Sequence, residues 1–254
     1  MTSMRLAGRR ALVTGGSSGI GRAIVRAYGR HGADVVAVAR TTEDLEETVA
    51  PLDPARAGIV SADLTTDAGR RAVATAVEHR WGALDVVVHA AGVLGPVRSP
   101  EARLVAYPRD AWYEVFEANV SAVHFLHQHL APLLDRGTDP TLVGLSSSVG
   151  RAGRAEWGMY AISKFALEGW METLDDEWEG RVYSVNPGGT ATPMRAAAMP
   201  EEDPDTIPSP DDVTPVFLHL ARADVGVPSG AKLLARDWIG HDPWQDDAPD
   251  RASF

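Results

Sequence analysis

The sequence predicts an α/β fold built on one doubly wound parallel sheet of about seven strands, with helices on both faces. Three observations predict it. Short apolar runs alternate with stretches of helical spacing along most of the chain. The run Val35-Val36-Ala37-Val38 is apolar on successive residues, as a strand buried on both faces requires. The first run, ending at Thr14, passes at once into glycines and then into a helical pattern.

Taken in order, the residues justify each element. A strand over 10–14 meets the turn Gly15 to Gly21, and Ile20, Ala23, Ile24 and Ala27 give a helix over 19–31 the right spacing. Strand 33–39, helix 42–50, strand 58–61, helix 66–80 and strand 84–89 continue the alternation. A long helix is expected over 108–135, then a strand at 141–146, a helix over 158–178 and a strand at 182–185. The segment 187–210, rich in proline, alanine and acid, breaks the rhythm and is too long for a plain connection, so it reads as a binding loop or lid. A helix at 211–221 and a strand at 231–234 close the fold, and a polar tail follows from about 236. No linker or internal repeat is visible, so residues 1–254 are expected to form a single domain.

The chain has 254 residues, 44% hydrophobic and 23% charged, with a formal net charge of -11. That balance argues against binding nucleic acid through its phosphates. There is no cysteine, which excludes disulfides, thiolate nucleophiles and cysteine-bound metals. No run of about 18 apolar residues occurs, so a soluble, cytoplasmic protein with no membrane partner is expected.

Two motifs carry chemistry. The turn Gly15-Gly16-Ser17-Ser18-Gly19-Ile20-Gly21 follows a buried strand and opens a helix. Glycines there let a backbone approach a pyrophosphate, and the helix N-terminus offers N–H groups and partial positive charge. The second motif is Tyr160-Ala161-Ile162-Ser163-Lys164. Lys164 is one of only two lysines, the other being Lys232, in a chain whose usual base is arginine. Four residues apart on a helix, tyrosine and ammonium share a face, and a positive charge favours the phenolate. Tyr160 is therefore a candidate general acid or base.

With Asn119 and Ser147, these motifs resemble the short-chain dehydrogenase/reductase superfamily in its compact single-domain branch, over about residues 9–234. The stretches around Ser147 and from Pro187 to Thr190 are similar to a bacterial group of oxidoreductases of unassigned substrate. The resemblance implies a Rossmann-type sheet and a catalytic set of Asn119, Ser147, Tyr160 and Lys164. Ser147 would hydrogen-bond the substrate oxygen and Tyr160 would exchange the proton. Lys164 would lower the tyrosine pKa and bind the nicotinamide ribose, and Asn119 would hold a relay water. Cofactor contacts implied in the same way are Gly15, Ser17, Ser18, Gly19, Ile20, Gly21, Arg40, Thr41, Asp63, Leu64, Ala90, Ala91 and Gly92. Tyr160, Lys164, Pro187, Gly188, Thr190 and Thr192 complete them. Arg40, past the second strand, points to NADP(H), although Ser18 stands where many NADP-binding members carry a base, which leaves NAD(H) open. The four-residue spacing of Tyr160 and Lys164 favours carbonyl or alcohol chemistry over C=C reduction.

Family members are commonly dimers or tetramers, so a homo-oligomer is expected. Two departures stand out: His89-Ala90 replaces the usual pair of asparagines, and Arg236-Asp237-Trp238 replaces the usual closing glycines. His89 is expected to be a satisfied core histidine. His124, His127 and His129 are expected at surface or interface positions, with no metal. Trp157, Met194, Arg195 and Met199 are expected near the pocket mouth. The alternative function is a dinucleotide-sensing or structural protein that keeps the fold and little turnover, against which stands the presence of all four catalytic residues.

Overall fold

A computed structural model describes residues 4–223 and 225–245. The last part of the expected polar tail, 246–254, lies outside the described residues. Seven strands form one wholly parallel sheet in the order β3-β2-β1-β4-β5-β6-β7: β1 (Arg10–Thr14), β2 (Asp34–Ala39), β3 (Ala57–Ser61), β4 (Val86–His89), β5 (Thr141–Leu145), β6 (Arg181–Asn186) and β7 (Lys232–Leu234). The sequence reads outward from β1 to β3 and then, after a return past β1, from β4 to β7. This is the expected doubly wound sheet, and its strand order reverses between β1 and β4. Register pairs Leu12 with Val36 and with Val87, so the central strands are apolar on both faces.

The helices are α1 (Gly19–Arg30), α2 (Thr42–Val49), α3 (Asp67–Trp81), α4 (Arg109–Phe116), α5 (Ala122–Leu134), α6 (Gly158–Glu177), α7 (Pro193–Ala198) and α8 (Pro215–Leu220). On one face Ile24 and Tyr28 of α1, Leu45 of α2 and Phe217 of α8 bury against Val13, Val35 and Val88. On the other, Val73 and Val77 of α3 and Leu126 and Leu130 of α5 bury against Leu12, Val36 and Val87. Helix ends follow local chemistry: the Thr66 hydroxyl accepts from the Gly69 N–H at 3.1 Å to open α3, and left-handed Gly82 closes it.

Three elements differ from expectation. The segment 187–210, expected as a loop, carries the short helix α7, which the Thr192 hydroxyl opens by accepting from the Arg195 N–H. The long helix expected over 108–135 is interrupted by a wide π-turn at Glu117–Ser121, which inserts one residue without ending the helix. The last helix starts at Pro215 rather than 211, because proline fits the first turn and Asp211 to Thr214 form the turn before it. No helix among the described residues is long and apolar enough to cross a membrane.

Candidate active site

The carboxyl ends of the strands open into a cleft of about 630 Å³ at the point where strand order reverses. Its floor begins with the glycine turn. Gly15 has φ 67°, and a Cβ there would sit 2.7 Å from the Ala91 nitrogen, so only glycine lets the turn after β1 lie against the segment after β4. The Ala91 N–H donates to the Thr14 hydroxyl at 3.2 Å, fastening the two together. Helix α1 then starts at Gly19, and the Ser18 side chain caps none of its N–H groups. The turn thus presents an open helix N-terminus to the cleft, the arrangement that suits an anionic group.

Ser17, Ser18, Gly19, Ile20 and Gly21 line this end, together with Arg40, Thr41, Asp63 and Leu64 from the ends of β2 and β3. Arg40 is exposed, and among the described residues no carboxylate forms an ion pair with it. Asp63 accepts from the Thr65 hydroxyl at 2.7 Å and the Thr65 N–H at 3.0 Å, bonds that hold its carboxyl below the usual range. Ala90, Ala91, Gly92, Pro187 and Thr192 also line the wall. Gly188 and Thr190 do not: Gly188 abuts Arg236, and the buried Thr190 hydroxyl donates to the Pro187 carbonyl at 3.3 Å. They shape the segment from behind.

The other end of the cleft holds Tyr160 and Lys164, both buried on α6. The Lys164 Nζ lies 5.7 Å from the centroid of the Tyr160 ring and donates to the Leu145 carbonyl at 2.7 Å. Burial pulls the lysine down to about 8, with Glu168 acting against that fall. Burial pushes the Tyr160 phenol up to about 12, and the Ser147 hydroxyl offsets part of the rise. The expectation that Lys164 lowers the phenol is therefore not met in this arrangement; desolvation wins, and the phenol is protonated at neutral pH. Ser147 starts a short turn at Ser148–Gly150, and its hydroxyl accepts from the Val149 N–H at 3.4 Å. It stands beside the Tyr160 phenol, and its neighbour Ser146 lines the cleft. A Cβ on Gly150 would come within 2.6 Å of the Lys164 Cβ, so glycine permits this turn to close on α6.

Asn119 is buried in the π-turn, and its amide bonds to neither the Tyr160 phenol nor the Lys164 ammonium. It accepts from the Val93 N–H at 2.8 Å and donates to the Val93 carbonyl at 2.9 Å and the Ser163 hydroxyl at 3.0 Å. The Ser163 hydroxyl donates in turn to the Tyr160 carbonyl at 2.8 Å. Asn119 thereby ties the strand segment after β4 to the tyrosine helix. Val93 and Ser163 were not among the expected site residues; Ser163 sits inside the Tyr160-Lys164 motif and was the available signal.

Trp157 lies against Tyr160 with centroids 5.9 Å apart, and Leu94 and Val97 complete an apolar wall beside the phenol. Met194 lines the cleft, whereas Arg195 is held by Glu202 at 2.6 and 2.7 Å and Met199 meets Arg98. His89 is buried as expected, yet among the described residues its Nε2 has no hydrogen-bond partner; burial and nearby His127 pull it down to about 3, so it is neutral. His127 is likewise buried, against Trp170 and Trp178, not at the surface. His124 accepts from the Trp170 ring N–H at 3.1 Å, and His129 meets Asp67.

A family model described as short chain dehydrogenase matches residues 9–203. The uncharacterized oxidoreductase YciK of Escherichia coli strain K12 is 40% identical over 220 residues, covering 84% of this chain and 86% of that protein. A short chain dehydrogenase of Shigella flexneri 2a strain 301, solved in complex with NADP, superposes with a TM-score of 0.87 at 38% identity, over 92% of this chain and 99% of that one. One of E. coli CFT073, solved with NADPH, does so with a TM-score of 0.86 at 38% identity, over the same shares. The bacterial group of unassigned substrate expected from the motifs is thus the one found.

Proposed function

We propose, from the premise that this chain belongs to the short-chain dehydrogenase family and is a dehydrogenase/reductase enzyme, that it transfers hydride between NADP(H) and a carbonyl or secondary alcohol substrate, with Tyr160 as general acid and base. The observation that carries this reading is one cleft with an open helix N-terminus at one end and the buried Tyr160-Lys164 pair at the other. The cradle fits a dinucleotide: the glycine turn gives backbone access, and Arg40, in no ion pair among the described residues, lines the end of the cleft where it would meet a 2'-phosphate. The two relatives solved with NADP and NADPH support the same cofactor here. When bound, that cofactor supplies or accepts the hydride at the substrate carbon.

The chain's own residues handle the proton and the geometry. A phenol near pKa 12 keeps its proton at neutral pH, so Tyr160 is set to donate it to the oxygen of a carbonyl as that oxygen gains charge; oxidation of an alcohol reverses the transfer. The Ser147 hydroxyl, beside Tyr160, would donate to the same oxygen, a contribution of about 3 kcal/mol for a well-placed donor. Lys164 would hold the ribose hydroxyls, close to the phenol. The Asn119 amide is committed to Val93 and Ser163, so a relay water would bind main-chain carbonyls of its wide turn. Trp157, Leu94 and Val97 favour a substrate apolar beside its carbonyl. Exposed aromatic side chains on α4, α5 and α6, among them Trp112, Phe125 and Phe165, offer the kind of surface that two copies in a homo-oligomer would cover.

Tyr160→Phe tests the mechanism. The variant should bind NADPH as wild type does, since the ring and its packing remain, while carbonyl reduction falls by about a hundredfold or more. Turnover equal to wild type would sink the role of Tyr160, and would favour the sensing alternative only if wild type is equally idle with a broad panel of ketones, aldehydes and alcohols.

A further inference from the structure

The two lysines of this chain meet one buried carboxylate. Glu168 lies one turn beyond Lys164 on α6 and is 4% exposed. Its Oε1 accepts from the Ser184 hydroxyl at 2.5 Å and from the Arg151 Nε at 3.0 Å. Its Oε2 lies 3.4 Å from the Nζ of Lys232, on edge strand β7. Lys232 is shared with Glu172, one turn further along α6. The Ser146 hydroxyl, on the cleft wall, lies beside the same carboxylate.

We propose that Glu168 is a positioning residue that holds Lys164 in its ammonium form from behind the cleft, and so sets the pH range of the reaction. The proposal rests on the reading that Lys164 serves that reaction. Among the described residues Lys164 itself touches no carboxylate; its hydrogen bond goes to the Leu145 carbonyl. A buried ammonium without an opposite charge nearby loses its proton. Glu168, four residues on along the same buried face of α6, is the acid that acts on it.

The charges facing this group are Lys164 and Glu172 on α6, Arg151 after β5, and Lys232 on β7, with the Ser146 and Ser184 hydroxyls between. Glu168 and Glu172 thus oppose three cations. Without Glu168, among the described residues facing the group only the exposed carboxylate of Glu172 would remain, and Lys164, being the most buried cation, would be the one to deprotonate. Glu172 occupies Lys232, which leaves more of the Glu168 charge to act toward Lys164. A merely structural ion pair between α6 and β7 would hold the sheet edge and leave Lys164 unaffected.

The two-lysine composition makes a direct test practical. Protein grown with 13C-lysine should give two lysine Cε signals, and Lys232→Met leaves Lys164 alone, which assigns it. In wild type the Lys164 signal should titrate near pH 8. Glu168→Gln should lower that midpoint by about one pH unit. Lys232→Met, which releases the Glu168 carboxylate from its ion pair with Lys232, should raise it, and this arm stands if Glu168→Gln does not fold. An unchanged Lys164 midpoint in the folded variants overturns the proposal. The limb of the kcat/KM profile should move with the NMR midpoint. A midpoint that moves while the rate profile stays fixed would uphold the coupling and fail the reading of Lys164 in the reaction.

Discussion

Arg40 stands exposed at the carboxyl end of β2, near Asp63 but in no ion pair among the described residues, so its guanidinium can turn to meet a ligand. A guanidinium there can bind a 2'-phosphate in two parallel hydrogen bonds, which a free 2'-hydroxyl cannot accept. Arg40→Ala should therefore raise the dissociation constant of NADPH by about tenfold or more and leave that of NADH nearly unchanged, measured by fluorescence titration of each. Equal losses would show that Arg40 does not read the phosphate. Tyr160 and Lys164 were legible in the sequence because a rare lysine at helical spacing from a tyrosine is visible without coordinates. The direction of their pKa changes was not. Desolvation depends on what α6 packs against, and the neighbours that bury Tyr160 include Leu94 and Val97, which lie more than sixty residues earlier in the chain. His89 obeys the same logic: its place at the buried end of β4 was readable, but the lack of a partner for its Nε2 among the described residues is a property of the packed core.

At the scale of elements, the π-turn at Glu117–Ser121 decides where Asn119 points. One added residue rotates the downstream half of the helix by roughly a third of a turn without breaking it, so the apolar spacing of 108–135 reads as continuous in the sequence. The strands, and most helix limits, were legible because alternation and capping are local signals. The wide turn is not local: it is held by the hydrogen bonds that Asn119 makes to Val93 and Ser163, which lie 26 and 44 residues away. Asn119→Ala would leave the Val93 N–H and carbonyl without their buried partner and free α6 from the segment after β4. The expected result is a loss of about 2 kcal/mol in stability by denaturant titration, with a fall in kcat larger than any rise in KM for NADPH. Asn119→Asp, which can still accept from Val93 but cannot donate to its carbonyl, should recover part of the stability. Wild-type kcat in the folded Ala variant would mean that the clamp does not position Tyr160.

Across the whole molecule, the sheet has two ends with different work. The carboxyl ends of the strands carry the cleft, and the amino ends carry charge that holds the layers together. There Asp85, 1% exposed, accepts from the Arg10 main chain at 2.8 Å, from its guanidinium at 2.7 and 2.9 Å, and from the Thr138 N–H at 2.7 Å. Arg9 beside it donates to the carbonyls of Ala221, Thr138 and Asp139. One carboxylate thus joins the starts of β1, β4 and β5, the strands on either side of the reversal that creates the cleft. Burial acts to raise its pKa, but the bonds from Arg10 and Thr138 outweigh it and hold the group below the ordinary carboxylate value. Removing one partner of such a pair leaves the others desolvated, so Asp85→Ala should cost about 3 kcal/mol in urea unfolding at pH 7. Because the folded pKa is depressed, the ionised form's share of stability is complete above the unfolded value and is lost as pH falls through the folded one. The gap between wild type and Asp85→Ala should therefore stay constant from pH 7 down to about pH 4 and narrow only below it. Activity of the folded variant at 25 °C should match wild type, since the substitution lies at the far end of the strands from Tyr160. A variant that keeps its stability but loses turnover would mean that the two ends are not separable, and that the charge at the base of the sheet shapes the cleft itself.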